Sequence, residues 1–264
     1  MDIFQSAILG VVEGLTEFVP VSSTFHLILT STILGLDNSD YLKMFEVVIQ
    51  LGAVSALLFL YTKTLLSNRR LILILLCSFI PTAIIGKFLY PTIKSLFFTN
   101  TILQISAMVI VGILFLIVEK LISSGKIRPT RPISSLSYFQ AILIGLAQAT
   151  SIIPGVSRSG SIILSALALG FTRSHAAEYA FLLSIPTILA ASLLDLYENR
   201  IMLMSTGFSS ITPLMVGFFS AFITAYFVVK WFIHYISKHT LTPFAYYRFV
   251  LAIILILFRV GLSH

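Results

Sequence analysis

The sequence predicts an all-α polytopic membrane protein built as an inverted-topology duplication, each half a re-entrant helical hairpin followed by three transmembrane helices. Three observations predict it. Of 264 residues, 58% are hydrophobic and 10% charged, with a mean hydropathy of +1.02, whereas soluble domains carry roughly 25% charged residues. Apolar runs at 41–61, 71–90, 101–119, 175–194, 211–234 and 245–262 each approach the ~20 residues that cross a hydrocarbon core, giving six crossings. Third, a shift of 135 residues lays FQSAILGVVEGLTEFVPVSST (4–24) over FQAILIGLAQATSIIPGVSRS (139–159). Phe4/Phe139, Gln5/Gln140, Gly10/Gly145, Val21/Val156 and Ser22/Ser157 coincide, and Glu13 falls on Gln148.

The first element, 4–24, is an apolar helical run interrupted at Pro20 beside a hydroxyl cluster, after which a second apolar run begins. Neither run is long enough to span, so the pair reads as a re-entrant hairpin. Three crossings complete a first repeat of about 1–119. The segment 120–137, containing SSGKIRPTRP, is the linker. The second repeat, about 138–264, repeats the pattern with its break at Pro154-Gly155, and the whole chain, 1–264, forms one integral membrane domain. No positively charged segment with a short apolar stretch and small-residue cleavage site opens the sequence, so no removable signal is expected.

An odd number of crossings per half makes the second half enter from the opposite side. Loop charge gives an independent orientation. Connections at 62–70 (Lys63, Arg69, Arg70), 120–137 (Lys120, Lys126, Arg128, Arg131), 171–174 (Arg173) and 235–244 (Lys238) are basic, whereas those at 35–40, 91–100 and 195–210 hold only Lys94 and Arg200. The basic group is expected on the cytoplasmic side, with the first hairpin open to the outside. The net charge of +7 is spread over short loops without a basic, aromatic-interleaved patch, which argues against nucleic-acid binding. The single Cys77 lies in an apolar run, cannot form an intrachain disulfide, and reads as a small core residue.

Irregular backbone at membrane depth is tolerated only where protein or a water-filled cavity satisfies it, so both breaks are expected to line a cavity. Half-helices starting near Ser22–Thr24 and Ser159–Ser161 would offer backbone N–H groups and positive dipole ends to an anion. Glu13 and Glu17 are four residues apart and share a helix face. Intramembrane acids mark substrate or ion paths, yet two carboxylates repel an anion unless a divalent cation lies between them, as where Mg²⁺ is held by carboxylates and substrate phosphate. Arg158, in PGVSRSG, has a planar fork suited to phosphate, and Gly155 and Gly160 would let backbone approach a ligand. As a structural alternative, Arg158 pairs with Glu13 or Glu17 to hold the hairpins together. Ser22, Ser23 and Thr24 read either as N-caps or, for a serine beside a base, as a nucleophile. His26, three residues past Ser23, is expected to approach that hydroxyl.

At these residues the sequence resembles the bacterial undecaprenyl-diphosphate phosphatase family, the bacitracin-resistance type. Glu13-Gly14-Leu15-Thr16-Glu17-Phe18 with Pro20, Ser22-Ser23-Thr24 and His26 is similar to its first motif, and Pro154-Gly155-Val156-Ser157-Arg158-Ser159-Gly160 to its second. Phe45-Glu46 with Ile49-Gln50-Leu51-Gly52-Ala53 also fits the family pattern. Phe25, where the family usually has Gly, and Ser161-Ile162, in place of a small residue followed by Thr, depart from it.

The resemblance implies removal of the terminal phosphate of undecaprenyl diphosphate, a polyprenyl diphosphate lipid, recycling the carrier lipid for cell-wall synthesis and conferring bacitracin resistance. It implies Mg²⁺ or Ca²⁺ held by Glu13 and Glu17, and a multi-pass protein of the bacterial inner membrane whose site opens to the outer side. Carried over position by position, it gives Glu13, Glu17, Ser23, His26, Ser157 and Arg158 as the functional set; together with the direct reading of the residues, Glu13, Glu17, Ser23, His26 and Arg158 are expected to be catalytic, and Ser22, Thr24, Gln148, Gly155, Ser157, Ser159 and Gly160 to bind substrate. Ser23, His26 or a water activated by Glu17 remains open as the nucleophile, as does a homodimer. The rival reading is a lipid-phosphate flippase or anion transporter, because broken helices from inverted repeats also build transporter sites at the midplane.

Overall fold

A computed structural model describes residues 1–37, 39–97, 100–198, 200 and 208–257. The 195–210 connection, the tip at 98–99 and the end of the 245–262 run therefore lie partly or wholly outside the described residues. The protein is an all-α polytopic membrane protein. In chain order its helices are α1 (Ile3–Thr16), α2 (Ser23–Ile33), α3 (Asp40–Ser67), α4 (Arg69–Phe97), α5 (Thr101–Ser123), α6 (Tyr138–Ala149), α7 (Arg158–Ala168), α8 (Arg173–Glu198), α9 (Phe208–Lys238) and α10 (Thr242–Leu257), with short 3₁₀ turns at Ile133–Ser135 and Thr150–Ile152.

Five of these, α3, α4, α5, α8 and α9, are long and apolar enough to cross a membrane. At 1.5 Å per residue, the 28 residues of α3 reach about 42 Å, past a core of about 30 Å. By contrast α1 and α6, with 14 and 12 residues, reach only about 20 Å and cannot span. The sixth predicted crossing is represented by α10, whose 16 described residues fall short of a span by themselves.

Both short leading helices start with the same reciprocal cap. At α1, the Gln5 N–H donates to Asp2 Oδ1 at 2.8 Å and the Asp2 N–H to Gln5 Oε1 at 2.9 Å. At α6, the Gln140 N–H donates to Ser137 Oγ and the Ser137 N–H to Gln140 Oε1, both at 3.2 Å. A capping box satisfies two orphan donors at once, which is why these chain segments commit to helix where they do.

Packing partners are exchanged between the halves. The first leading helix, α1, lies along α9, and α6 lies along α4. Glycine sets both approaches: a Cβ on Gly10 would collide with the Gly217 carbonyl and come within 2.9 Å of Ser220 Cβ, and one on Gly145 would collide with the Ser78 carbonyl. Buried hydroxyls join the second pair. Ser78 Oγ donates to the Ala141 carbonyl at 2.6 Å and Thr82 Oγ1 to the Gly145 carbonyl at 2.9 Å, and Tyr179 of α8 hydrogen-bonds Ser78. In the first pair the corresponding place is filled by the Phe45 ring of α3 against Gly217. Close backbone approach with hydroxyl cross-links is how helices associate where lipid removes the hydrophobic drive.

The four basic connections meet at one end of the bundle. Arg70 donates to the Ser134 and Leu136 carbonyls at 2.6 and 2.8 Å, and Arg131 exchanges backbone hydrogen bonds with Gly170 and Thr172 at 3.0 and 3.1 Å. Glu119 pairs with Arg173 through both carboxylate oxygens and accepts the Leu241 N–H at 2.8 Å. Cys77, expected as a small core residue, is partly buried and packs against the core from its edge.

Gly145→Ala pushes α6 off the α4 backbone, which no rotamer change relieves. The expected cost is about 1–3 kcal/mol, read as a lowered melting temperature in detergent; an unchanged melt would show that the helices part freely.

Candidate active site

The two broken hairpins converge. After α1, the chain turns through Glu17–Val21 and re-enters helix at Ser23; after α6, it turns through Ile153–Val156 and re-enters at Arg158. The residue just before each new helix has left-handed backbone, Ser22 at φ 71° and Ser157 at φ 72°, and these are the only two non-glycine residues so placed among the described ones. They occupy equivalent positions, 135 apart. Left-handed backbone in a residue with a Cβ is costly and persists only where surroundings hold it.

Arg248, from α10, supplies much of that hold. It is fully buried. Its Nε donates to the Pro20 carbonyl at 2.9 Å, Nη1 to the Gly155 and Met108 carbonyls at 3.0 and 3.3 Å, and Nη2 to the Val156 carbonyl at 3.1 Å. Its guanidinium also lies 5.2 Å from the centroid of the Phe115 ring. One side chain thus satisfies carbonyls of both breaks and of α5, leaving none of them orphaned in an apolar interior. Sequence reading counted this residue inside an apolar crossing and missed it; the available signal was a cation inside a run that was otherwise expected to face lipid.

Between the breaks sits Glu17. The Ser23 hydroxyl donates to its Oε2 and the Arg158 Nη2 to its Oε1, so the carboxylate joins a residue of the first hairpin to one of the second. Both charged side chains are nearly covered, at 9% and 14% exposure for Glu17 and Arg158. Arg158 Nε is buried with no hydrogen-bond acceptor among the described residues. Glu13, one turn earlier on α1, is fully buried, and neither of its oxygens receives a hydrogen bond among the described residues. Its polar neighbours are the Glu17 and Glu46 carboxylates and the Arg158 guanidinium.

The structure revises several sequence-based assignments. His26 is not beside the Ser23 hydroxyl: its Nδ1 lies 2.8 Å from the Ser22 carbonyl and its Nε2 2.6 Å from the Tyr247 hydroxyl. The base placed against Ser23 is Glu17, because the turn after α1 folds that carboxylate back over the start of α2. Ser22 stands at the N-cap position of α2 yet makes no capping hydrogen bond; Thr24 is exposed.

In the second break, Ser157 does cap, accepting the Gly160 N–H at 3.3 Å. Ser159 is buried and donates to the Val19 carbonyl at 3.1 Å, a further tie between hairpins. Gly155 and Gly160 make room for protein: a Cβ on Gly155 would collide with the Gln104 carbonyl and press on Phe25 at 3.1 Å, and one on Gly160 would meet Phe115 at 3.1 Å and Arg248 at 3.3 Å. Gln148 is fully buried and engaged internally, donating to Thr82 Oγ1 at 2.7 Å and accepting from Thr187 Oγ1 at 3.3 Å. Its amide does for the second half what the unsatisfied Glu13 leaves undone in the first. Phe25, buried, fills an apolar cluster with Ile105, Met108 and Leu251 under the second break.

Among the described residues no three His, Cys, Asp or Glu side chains converge as a metal-binding group. A cation site there would have to draw on Glu13 and Glu17, completed by oxygens from outside the protein.

Residues 6–254 match the family described as bacitracin resistance protein BacA. Over 258 residues the chain is 44% identical to an undecaprenyl-diphosphatase of Wolinella succinogenes, covering 98% of each chain. It is 43% identical over 255 residues to an undecaprenyl-diphosphatase of Campylobacter hominis, covering 96% of this chain and 97% of the relative. A similar protein of Aquifex aeolicus bearing the same name is 38% identical over 255 residues.

Arg248→Met keeps the bulk and removes every donor, stranding the Pro20, Gly155 and Val156 carbonyls of the two breaks. The expected loss is about 3 kcal/mol or more, seen as a large fall in the detergent melting temperature. A melt within a degree or two of wild type would mean that the breaks hold themselves.

Proposed function

The chain belongs to the bacitracin resistance protein BacA family, and on that premise we propose that it is an integral membrane phosphatase that removes the terminal phosphate of undecaprenyl diphosphate. The observation that carries this reading is the Glu17 carboxylate, shared between the Ser23 hydroxyl and the Arg158 guanidinium where the two hairpins meet.

Arg158 is oriented by one of its Nη groups and keeps donors, including the buried and unpaired Nε, for the diphosphate; a planar guanidinium with spare donors suits phosphate oxygens. The Ser23 hydroxyl gives its proton to Glu17 as its oxygen attacks the terminal phosphorus. The bond from that phosphorus to the bridging oxygen breaks, and the lipid monophosphate leaves with the electron pair. Glu17 passes that proton to the departing lipid monophosphate, then takes one from the water that splits the phosphoserine and returns it to the Ser23 oxygen, giving inorganic phosphate and free Ser23. Charge developing on the phosphoryl oxygens faces Arg158 and the first turns of α2 and α7, both of which begin at the breaks.

The donor-free, buried oxygens of Glu13 next to Glu17 fit a divalent cation, Mg²⁺ or Ca²⁺, held by these two carboxylates and substrate phosphate. Such an ion would neutralise the diphosphate and offset the repulsion between Glu13 and Glu17. The prenyl tail lies among the apolar helices while its head reaches the breaks, which gives a physical reason for a phosphatase inside a bilayer. The product is the carrier lipid reused in cell-wall synthesis. Lowering the diphosphate form would confer bacitracin resistance.

The two halves, 1–119 and 138–264, are further proposed to be inverted repeats in the bacterial inner membrane, with the four basic connections in the cytoplasm. The hairpins then open to opposite sides, and the Glu17–Ser23 site to the outer one.

Purified wild-type protein is expected to release phosphate from a long-chain prenyl diphosphate only with a divalent metal. Glu17→Ala and Arg158→Ala should each lose about 10³-fold in kcat/KM. No release by well-folded wild type across divalent metals would sink the phosphatase and bring forward a lipid-phosphate transporter using the same site. For orientation, in a Cys77→Ala background, Asp37→Cys should react with an impermeant thiol reagent added outside intact cells and Ser124→Cys should not. The reverse pattern would invert the topology.

A further inference from the structure

His26 has both ring nitrogens engaged. The Ser22 carbonyl is a pure acceptor 2.8 Å from Nδ1, so Nδ1 carries a proton. In the neutral imidazole Nε2 is then the acceptor, and the Tyr247 hydroxyl, 2.6 Å away, donates to it. The two rings stack, 5.6 Å between centroids and 5° from parallel. The Ser22 carbonyl therefore fixes the tautomer of His26, while Tyr247 donates to the remaining nitrogen and holds the plane of the ring; Tyr247 immediately precedes the Arg248 clamp in the chain.

The peptide that His26 grips is the strained one. Ser22 is left-handed and lacks the side-chain hydrogen bond by which Ser157 anchors the equivalent turn. The residue equivalent to His26 in the second half, 135 positions on, is Ser161, whose hydroxyl donates to the Arg158 carbonyl at 3.0 Å and leaves the Ser157 carbonyl alone. The imidazole brace is thus specific to the first break, the one that carries Ser23.

We propose that Tyr247 is a positioning residue for Ser23: it locks His26, His26 holds the Ser22 carbonyl, and the Ser22 turn aims the Ser23 oxygen along the line set by Glu17. The role rests on the phosphatase reading in its kinetic consequence alone; the hydrogen-bonded chain from Tyr247 to Ser22 stands on geometry. Tyr247 is 45% exposed, and Phe keeps the stacked ring, so Tyr247→Phe removes one hydroxyl from a tolerant position.

The experiment is ¹⁵N NMR of histidine-labelled protein in detergent, with the His26 signals assigned through His26→Gln, alongside phosphate release from a prenyl diphosphate with Mg²⁺. Wild type should show the Nδ1–H tautomer at His26. Tyr247→Phe should keep that tautomer but move the Nε2 signal toward that of a free pyridine-type nitrogen, with a kcat lowered roughly tenfold or more and a KM changed by less than about twofold, at an unchanged melting temperature. An unmoved Nε2 signal overturns the proposal whatever the rate does, and so does a shifted Nε2 signal with wild-type kcat. If wild type itself releases no phosphate, the phosphatase reading has failed separately, and the Nε2 comparison still decides whether Tyr247 holds His26.

Discussion

A buried guanidinium surrounded by carbonyl oxygens is the interaction on which the arrangement turns. Two helices are broken inside an apolar bundle, and every break frees carbonyls that lipid cannot satisfy. Arg248 binds Pro20 from one break, Gly155 and Val156 from the other and Met108 from a neighbouring span. The consequence reaches beyond those four bonds. With both turns pinned to one group, Ser22 and Ser157 can be kept in left-handed backbone, and the helices that follow start side by side. Only then do Glu17, Ser23 and Arg158 come within hydrogen-bond range of each other.

The two halves use a common frame for different ends. Both have the same capping box, the same glycine notch and the same left-handed serine. What differs is polarity at matching depth. Gln148 is neutral and has a hydroxyl partner at each end of its amide, Thr82 and Thr187, so the second hairpin is a structural piece that contributes Arg158. Glu13, its counterpart, is charged in type and receives no hydrogen bond among the described residues, so the first hairpin carries an electrostatic cost that the second does not. An unsatisfied carboxylate is expensive in an apolar interior, and such a cost concentrates where binding offsets it.

Much of the architecture was legible because its signals are local in sequence. Apolar run length separated spanning from non-spanning helices, and Pro20 and Pro154-Gly155 marked the breaks to within a few residues. Glu13, Glu17 and Arg158 announced themselves by charge in apolar surroundings, and the pairing of Arg158 with Glu17 had been weighed. What could not be read was decided by contacts across the chain. His26 lies one helical turn from Ser23, but Tyr247, 221 residues away, claims its ring. The glycines of the second motif looked like room for a ligand, whereas Gln104, Phe25 and Phe115 occupy that room. Arg248 escaped notice because hydropathy averages over a window and conceals one cation among many aliphatic side chains.

The exchanged packing of α1 with α9 and α6 with α4 has a consequence for how the protein is made. The notch at Gly10 receives a helix that begins about 200 residues later in the chain. At roughly 5–20 residues per second, a ribosome needs about ten to forty seconds to deliver it. For that interval α1, too short to span and bearing Glu13, has only α2 and α3 of its final neighbours to pack against. The face notched at Gly10 stays uncovered until α9 has emerged.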